Sequence, residues 1–570
     1  MTAIIAMIAM IDQQFRRFQL PRQALPAVAL VVLGLLVGAA ARDPLAVRRR
    51  AQAASAVTDR SAGVTLSTDA TVVAIDRLLA ESRRADGVEA AAVAENLTIL
   101  RRLWLALAGT IPSLEEIRRF EADTAPGAVD RALTTLLADP RSAEALARCL
   151  ASPLVGDEEG QFIVFRRDRF TTWLADQIGA NRPWDTTVRE MVSARGLWTD
   201  TPAVNFITQA AADGVIDADK LAGRVSRVFL GARLDCAQCH DHPFAAWKQG
   251  EFEGLAASFA QAKLSAAGVE DDPARVHRID RTSVAALATT MTGAGRNVPP
   301  RVPFGAEWLG SGGTHRENLA AWVIHADNRR FDRATANRMW RILFGKAWHE
   351  PVDDIPDPGP SSSPDDLLDL LADDFRDHGR DLHRLIKVIA ATEAFRLASS
   401  HPDLESAEGA ERVTATWGAF PLTRLSPDQM IGAMGATTSL QTIERDSHVL
   451  TRTIRFFRET DFLREYGQVV DSQGGSLPAT IPQALVQMNG KLAREMVEAN
   501  VVTATGRIAG MARDDVARLE VAFLVALTRR PTSEERESLL PLITLAETKG
   551  RGLEDVMWTL FNCPEFSWNH

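Results

Sequence analysis

Cys236-Ala-Gln-Cys239-His240, continuing Asp241-His242-Pro243-Phe244, is the stretch around which the rest of the sequence is organised. Two cysteines three apart, followed at once by histidine, is the spacing that attaches haem c. On a helical turn, residues three apart share a face, so two thiols can reach the two vinyl groups of one porphyrin. The next residue then offers its imidazole to the iron. The segment before the motif, 219 to 234, reads as an apolar helix dotted with arginine. After the motif, Phe252, Leu255, Ala256 and Phe259 form another apolar helical face. The motif therefore lies between two helices, where a cofactor would find packed walls.

The wider composition agrees with a helical frame. The chain has 570 residues, 46% of them hydrophobic and 24% charged, the balance of a folded globular protein. It is long enough for two or three domains. Only one tyrosine occurs, and Ala, Leu, Arg and Glu are abundant, which favours helix over sheet. A net charge of -10 argues against nucleic acid as a partner, because phosphate binding needs a basic face. Four cysteines are too few for a disulfide framework. Cys149 and Cys563, outside the motif, read as small buried hydrophobes.

Taken in order, residues 1–41 read as an export signal. Arg16, Arg17 and Arg22 precede an apolar run, and Ala39-Ala40-Ala41 offers small residues for cleavage. An uncleaved N-terminal anchor is the alternative, and the only route by which the chain would meet a membrane. Export to the periplasm or cell surface suits the motif, since bacteria attach haem c outside the cytoplasm. Residues 42–69 read as a linker and 70–262 as a helical domain holding the motif. Gly293-Ala294-Gly295 and Pro299-Pro300 mark 263–313 as a second linker with a small β-ribbon. Residues 314–570 read as a second helical domain. The fold class is thus mainly α, two helical domains joined by a Gly/Pro-rich linker.

Local signals place several helix starts. Ser113 with Glu116 spells a capping box, and Pro531-Thr532-Ser533-Glu534-Glu535 opens a later helix with similar turn chemistry. Ser361-Ser362-Ser363-Pro364 reads as another helix opening, with proline in the first turn, and a further start falls near 483. The basic, aromatic stretch 161–195, with Phe165, Phe170, Trp173 and Trp184, reads as an amphipathic helix whose arginines are solvated or paired.

With these residues in view, the chain resembles a planctomycete-type secreted family of tandem domains of unknown function, cytochrome-c-like (PSCyt) followed by C-terminal PSD. The first domain is matched by Leu100-Arg101-Arg102-Leu103, Gly109, Pro112 and Glu116, and by Cys236 to Phe244 with Trp247 and Gly254 to Phe259. The second is matched by Asn328, Phe331, Asn337-Arg338-Met339-Trp340, Phe344-Gly345, Pro351-Val352-Asp353-Asp354 and Leu367-Leu368. Phe561-Asn562-Cys563-Pro564-Glu565-Phe566 and His570 are similar at the end. The resemblance implies export and a helical two-domain body. One Cys-x-x-Cys-His is present, whereas many relatives carry another in a separate cytochrome c domain, which weighs against multi-haem electron transfer.

Three readings of the motif stand. In the first, Cys236 and Cys239 anchor haem c and His240 ligates its iron, with Met191, Met291, Met339 and His315 as candidates for the sixth position. In the second, Cys236, Cys239, His240 and His242 hold zinc. In the third, Cys236 and Cys239 form a disulfide. A second polar cluster, His349, Glu350, Asp353 and Asp354, has carboxylates spaced to bind calcium or to act as acid and base. Its plainer reading is an acidic loop that pairs with Arg338. The functional expectations are a haem redox protein meeting a redox partner or an extracytoplasmic substrate, a zinc- or calcium-dependent hydrolase of an extracytoplasmic polymer such as polysaccharide, or a non-catalytic surface protein.

Overall fold

Ser113 accepts a hydrogen bond from the Glu116 N–H, and the Glu116 carboxylate accepts one from the Ser113 N–H, so the expected capping box opens the helix Leu114–Ala122. Thr532 and Glu535 repeat the arrangement at the start of Ser533–Thr544. Each box satisfies donors that a helix leaves unpaired in its first turn. The structure is a computed structural model. It describes residues 69–157, 165–279, 296–357, 366–437, 488, 491–500 and 503–570. The proposed signal, almost all of the first linker, Met291, Gly293-Ala294-Gly295, Ser361 to Pro364 and the start near 483 lie outside those residues. Where the Ser-Pro opening was expected, the described helix is Leu367–Asp377, with Asp366 as its N-cap.

The described residues are mainly helical, and their strands pair only as two-stranded antiparallel sheets. None of their helices is long and apolar enough to cross a membrane. Asn96–Ala108 is buried along almost its whole length and stops at Gly109, whose φ of 64° is left-handed. Pro140–Val155 begins with proline behind the Asp139 cap. Ala218–Leu230 stops at Gly231 and Arg329–Phe344 at Gly345, both with positive φ.

The larger core runs from Val72 to Phe420 and also takes in Leu524. It draws on both sides of the 263–313 stretch. Phe229 meets Phe331 at 6.4 Å between ring centroids. A smaller core joins Leu105 and Ile111 to side chains between Leu425 and Phe566. The expected β-ribbon exists: Ala262–Ser265 pairs with Gly268–Asp271, and His277–Ile279 with Arg296–Val298. The ribbon is bolted down. Val269 bridges to Gly196, and a Cβ on Gly268 would sit 2.1 Å from the Gly196 oxygen, so only glycine permits the approach. Arg316, wholly buried, grips Asp271 and the carbonyls of Val192 and Ala194.

Arginine holds the ends of the fold as well. Arg101 donates to the carbonyls of Ala526 and Phe566. Arg102 donates to the backbone oxygens of His570, Phe395 and Leu397, and its guanidinium lies 3.7 Å over Phe420. Burial pushes these two groups down to about 10 and about 9, so both stay charged at neutral pH. The stretches Leu100–Leu103 and Phe561–His570, far apart in sequence, thus meet in the fold. Where one amphipathic helix was expected, the basic, aromatic stretch forms two, Arg167–Gly179 and Trp184–Ser193. Phe165, Phe170, Trp173 and Trp184 are buried, while Arg166 pairs with Asp168 and Arg167 with Asp157.

Candidate functional site

The motif begins on a single turn of 3₁₀ helix, Leu234–Ala237, which carries Cys236; Gln238 follows in a helical conformation, and Cys239 and His240 lie beyond it. Side chains three apart nearly eclipse on such a turn. Leu234 and Ala237, three apart on the turn, are fully buried, while Cys236 and Cys239 are both exposed and free. Their neighbours are fixed. Gln238 donates to Asp219 at 3.1 Å, and Asp235 accepts from Arg227. Among the described residues, Cys149 is exposed rather than buried, and Cys563 is half-buried, its thiol donating to the Leu560 carbonyl at 3.0 Å.

The two histidines differ in protonation. His240 Nδ1 lies 2.6 Å from the Asp241 carbonyl oxygen. A carbonyl can only accept, so Nδ1 carries the proton, and in the neutral ring Nε2 keeps its lone pair. His242 Nδ1 accepts the N–H of Phe244 at 3.2 Å and of Ala245 at 2.9 Å. Its proton is then on Nε2, and neither nitrogen has a lone pair left for a metal. Asp241 closes the loop. Its carboxylate accepts from the N–H of Gln249 at 3.0 Å and from Lys248 Nζ at 3.1 Å, and these bonds hold it below the usual carboxylate range. The loop ends against the helix Gln249–Ala257 and presents Phe244, 96% exposed, at its tip.

The acidic loop of the second half lies against the motif, joined through Arg233. This residue's carbonyl accepts from the Cys236 N–H, and its side chain donates twice to Asp353 Oδ1, at 3.1 and 2.8 Å. Burial works against the Arg233 charge, yet Asp353 raises the group above its ordinary value. Gly231 accepts from the Ile355 N–H at 2.8 Å. Arg330 donates to the Leu230 carbonyl and lies 5.2 Å over the Trp247 ring. Both flanks of the motif are thus held from 330 and from 353 to 355. Nothing in the spacing of Arg233 or Arg330 announced this, since their partners stand about a hundred residues away.

The other members of the acidic cluster are occupied. Asn337 binds the His349 backbone from both sides of its amide, and Glu350 caps the Ala347 N–H. His349 Nε2 donates to Asp366 at 2.8 Å, and Trp348 and Arg333 donate to the same carboxylate. Burial would raise Asp366, but His349 and Arg333 hold it at about 2. Asp353 hydrogen-bonds Arg233 in place of the expected Arg338. Asp354 is exposed. The structure therefore brings Cys236, Cys239, His240 and His242 onto one loop and Asp353 beside it through an arginine. It does not gather His242, Asp353 and Asp354. Among the described residues, no three His, Cys, Asp or Glu side chains could hold one ion. Met191 and Met339 are buried in the core, away from the exposed His240.

A mainly helical body with an exposed cysteine–histidine loop, tied to a second region through the Arg233–Asp353 pair and Arg330, is the class of protein that fold and site define. The chain belongs to the PSCyt2–PSD1 tandem: residues 74–264 match PSCyt2, a protein of unknown function (DUF1549), and residues 315–543 match PSD1, likewise of unknown function (DUF1553). No curated protein and no solved structure matches the chain.

Proposed function

We propose that the chain is an exported redox protein carrying one haem c, attached through Cys236 and Cys239 with His240 toward the iron. The observation that carries this reading is the pairing of two outward, unspent thiols with an imidazole whose Nδ1 proton is already given to a carbonyl. That hydrogen bond leaves Nε2 as the ligating atom and fixes the ring, the arrangement usual for a metal-bound histidine. Cys236 on the 3₁₀ turn and Cys239 just beyond it are both exposed, as two thioether bonds to one porphyrin require. A bound haem would supply one-electron transfer. The chain's own share is to hold the turn rigid through Arg233 and Asp353, and to offer Phe244 as an apolar contact for the porphyrin edge or a redox partner.

The metal-hydrolase reading has less support, because His242 spends its Nδ1 on two backbone donors and Asp353 is given to Arg233. The test is a pyridine haemochrome spectrum of protein matured in a host that attaches haem c. An α band at one haem per chain, lost in Cys236→Ser with Cys239→Ser, is expected. A colourless protein with two titratable thiols would overturn the proposal.

A further inference from the structure

The first described helix, Ala70–Ala85, is fastened to the second half of the chain at both ends. At its start Asp69 accepts from Arg384 at 3.0 Å, and Thr71 donates to Asp374 at 3.0 Å. Further along, Asp76 Oδ1 accepts the Glu393 N–H at 2.8 Å, and Arg83 donates to the Glu393 carboxylate. Val72, Ile75 and Leu79 of the same helix are fully buried. Asp76 and Arg83 belong to the 74–264 match, and Glu393 to the 315–543 match.

Asp76 is the odd member of this contact. It is half-buried, and among the described residues the Glu393 N–H is the one hydrogen bond its carboxylate receives. The arginines nearby are engaged elsewhere, Arg83 with Glu393 and Arg396 with Asp130 at 2.8 Å. Glu393 stands beside Asp76 as a like charge. Burial pushes Asp76 up and the Glu393 charge adds to this. The Glu393 N–H, Arg83 and Arg396 offset them only in part, so the group stands at about 6 against an ordinary 3.8. The helix also packs on Leu367–Asp377 and Leu382–Ala391, whose charged groups are engaged away from Asp76. Asp374 and His378 pair, and Arg384 joins Asp374 to Asp69. Asp369 serves Arg329 and Arg333, and Arg376 serves Asp373 and Asp377. His383 and Lys387 respond to Asp381.

We infer that this contact is an acid-tightened latch between the two family regions, with the Asp76 carboxyl as the group that takes up the proton. The folded value lies above the ordinary one, so the docked helix binds that proton more tightly than the undocked chain does. The stabilisation is whole below about pH 3.8 and is lost as pH rises through about 6. At neutral pH the ionised Asp76 faces Glu393 without an arginine bonded to it, and the helix is held less firmly. The direction is opposite to that of Asp366, which His349 and Arg333 hold low. The inference stands whether or not haem is attached.

The experiment is hydrogen exchange of the full chain at two pH values, each amide corrected for its intrinsic rate. Protection across Ala70–Ala85 should fall about tenfold between about pH 5 and about pH 7.5, while Leu114–Ala122 holds its value. In Asp76→Asn, which keeps an acceptor for the Glu393 N–H, protection should be the same at both. His378→Gln, at the exposed histidine beside Asp374, should keep the fall. Should Asp76→Asn fail to fold, the wild type and His378→Gln decide between them. Equal protection at the two pH values in the wild type, a fall that survives in Asp76→Asn, or one that disappears in His378→Gln would overturn the inference.

Discussion

The loop from Cys236 to Lys248 and the loop from His349 to Asp354 are alike in the sequence: each is short and sets histidine beside acid, His240 and His242 around Asp241 in the first and His349 before Glu350 in the second. In the structure they are opposites. In the second loop Asp353 holds Arg233, His349 holds Asp366, and Glu350 caps a backbone N–H. In the first, the supporting groups are spent in the same way, Asp235 on Arg227, Asp241 on Gln249 and Lys248, His242 on Phe244 and Ala245. Its two thiols and one imidazole nitrogen are left over. Groups already satisfied inside the fold stabilise it, whereas unspent groups held on a rigid frame are available for chemistry. The contrast is what supports the proposal that function lies in the first loop and support in the second.

The largest expected effect attacks the support. Arg333 is buried and donates to both Asp366 and Asp369. Arg333→Met takes one partner from each carboxylate, leaving Asp366 to His349 and Trp348 and Asp369 to Arg329, and should cost about 3 kcal/mol in urea unfolding. A loss below about 1 kcal/mol would mean that the second region is less dependent on its ion pairs than argued. Asp353→Asn comes next. It keeps the shape but weakens the hold on Arg233, and should cost about 1–2 kcal/mol. Hydrogen exchange should quicken at the Cys236 amide, which Arg233's carbonyl accepts, and stay unchanged at Ser113 and Glu116.

Acid should weaken the support too, in a window set by the carboxylates. Asp366 is held at about 2 against an ordinary 3.8, and Glu565, gripped by Arg529 and His570 despite burial, at about 2 against 4.5. Both values are depressed, so the charged form is the stabilised one. The contribution is whole above about pH 4.5 and is lost as pH falls through about 2. Each carboxylate should give up about 1 kcal/mol, discounted for partial exposure, in denaturant midpoints followed across that range. The smallest effect falls on the first loop. Cys236→Ser with Cys239→Ser should change the stability of the haem-free chain by no more than about 0.5 kcal/mol, because both thiols face water. A larger loss would place the cysteines among the supports and break the comparison.

Local chemistry made much of the fold legible. The capping boxes at Ser113 and Thr532 and the ribbon between 263 and 313 follow from nearest-neighbour rules, and they appear where those rules put them. The candidate loop was legible for the same reason, since its residues are contiguous. What the sequence concealed is long-range charge. Arg102 reaching His570, Arg316 reaching Asp271 and Arg233 reaching Asp353 bring together positions far apart in the chain. No periodicity encodes which carboxylate an arginine will meet. An arginine beside a carboxylate in sequence suggests a pair, as Arg338 did for the acidic loop, but the fold gave Asp353 to Arg233.

The central claim is that the thiols of Cys236 and Cys239 are unspent because they carry a covalent group. The most direct measurement is the intact mass of the mature protein, purified from its own host and denatured before analysis. One haem retained on the chain, and absent after Cys236→Ser with Cys239→Ser, is the predicted result. A mass equal to the polypeptide alone, with both thiols free to alkylate, would contradict it.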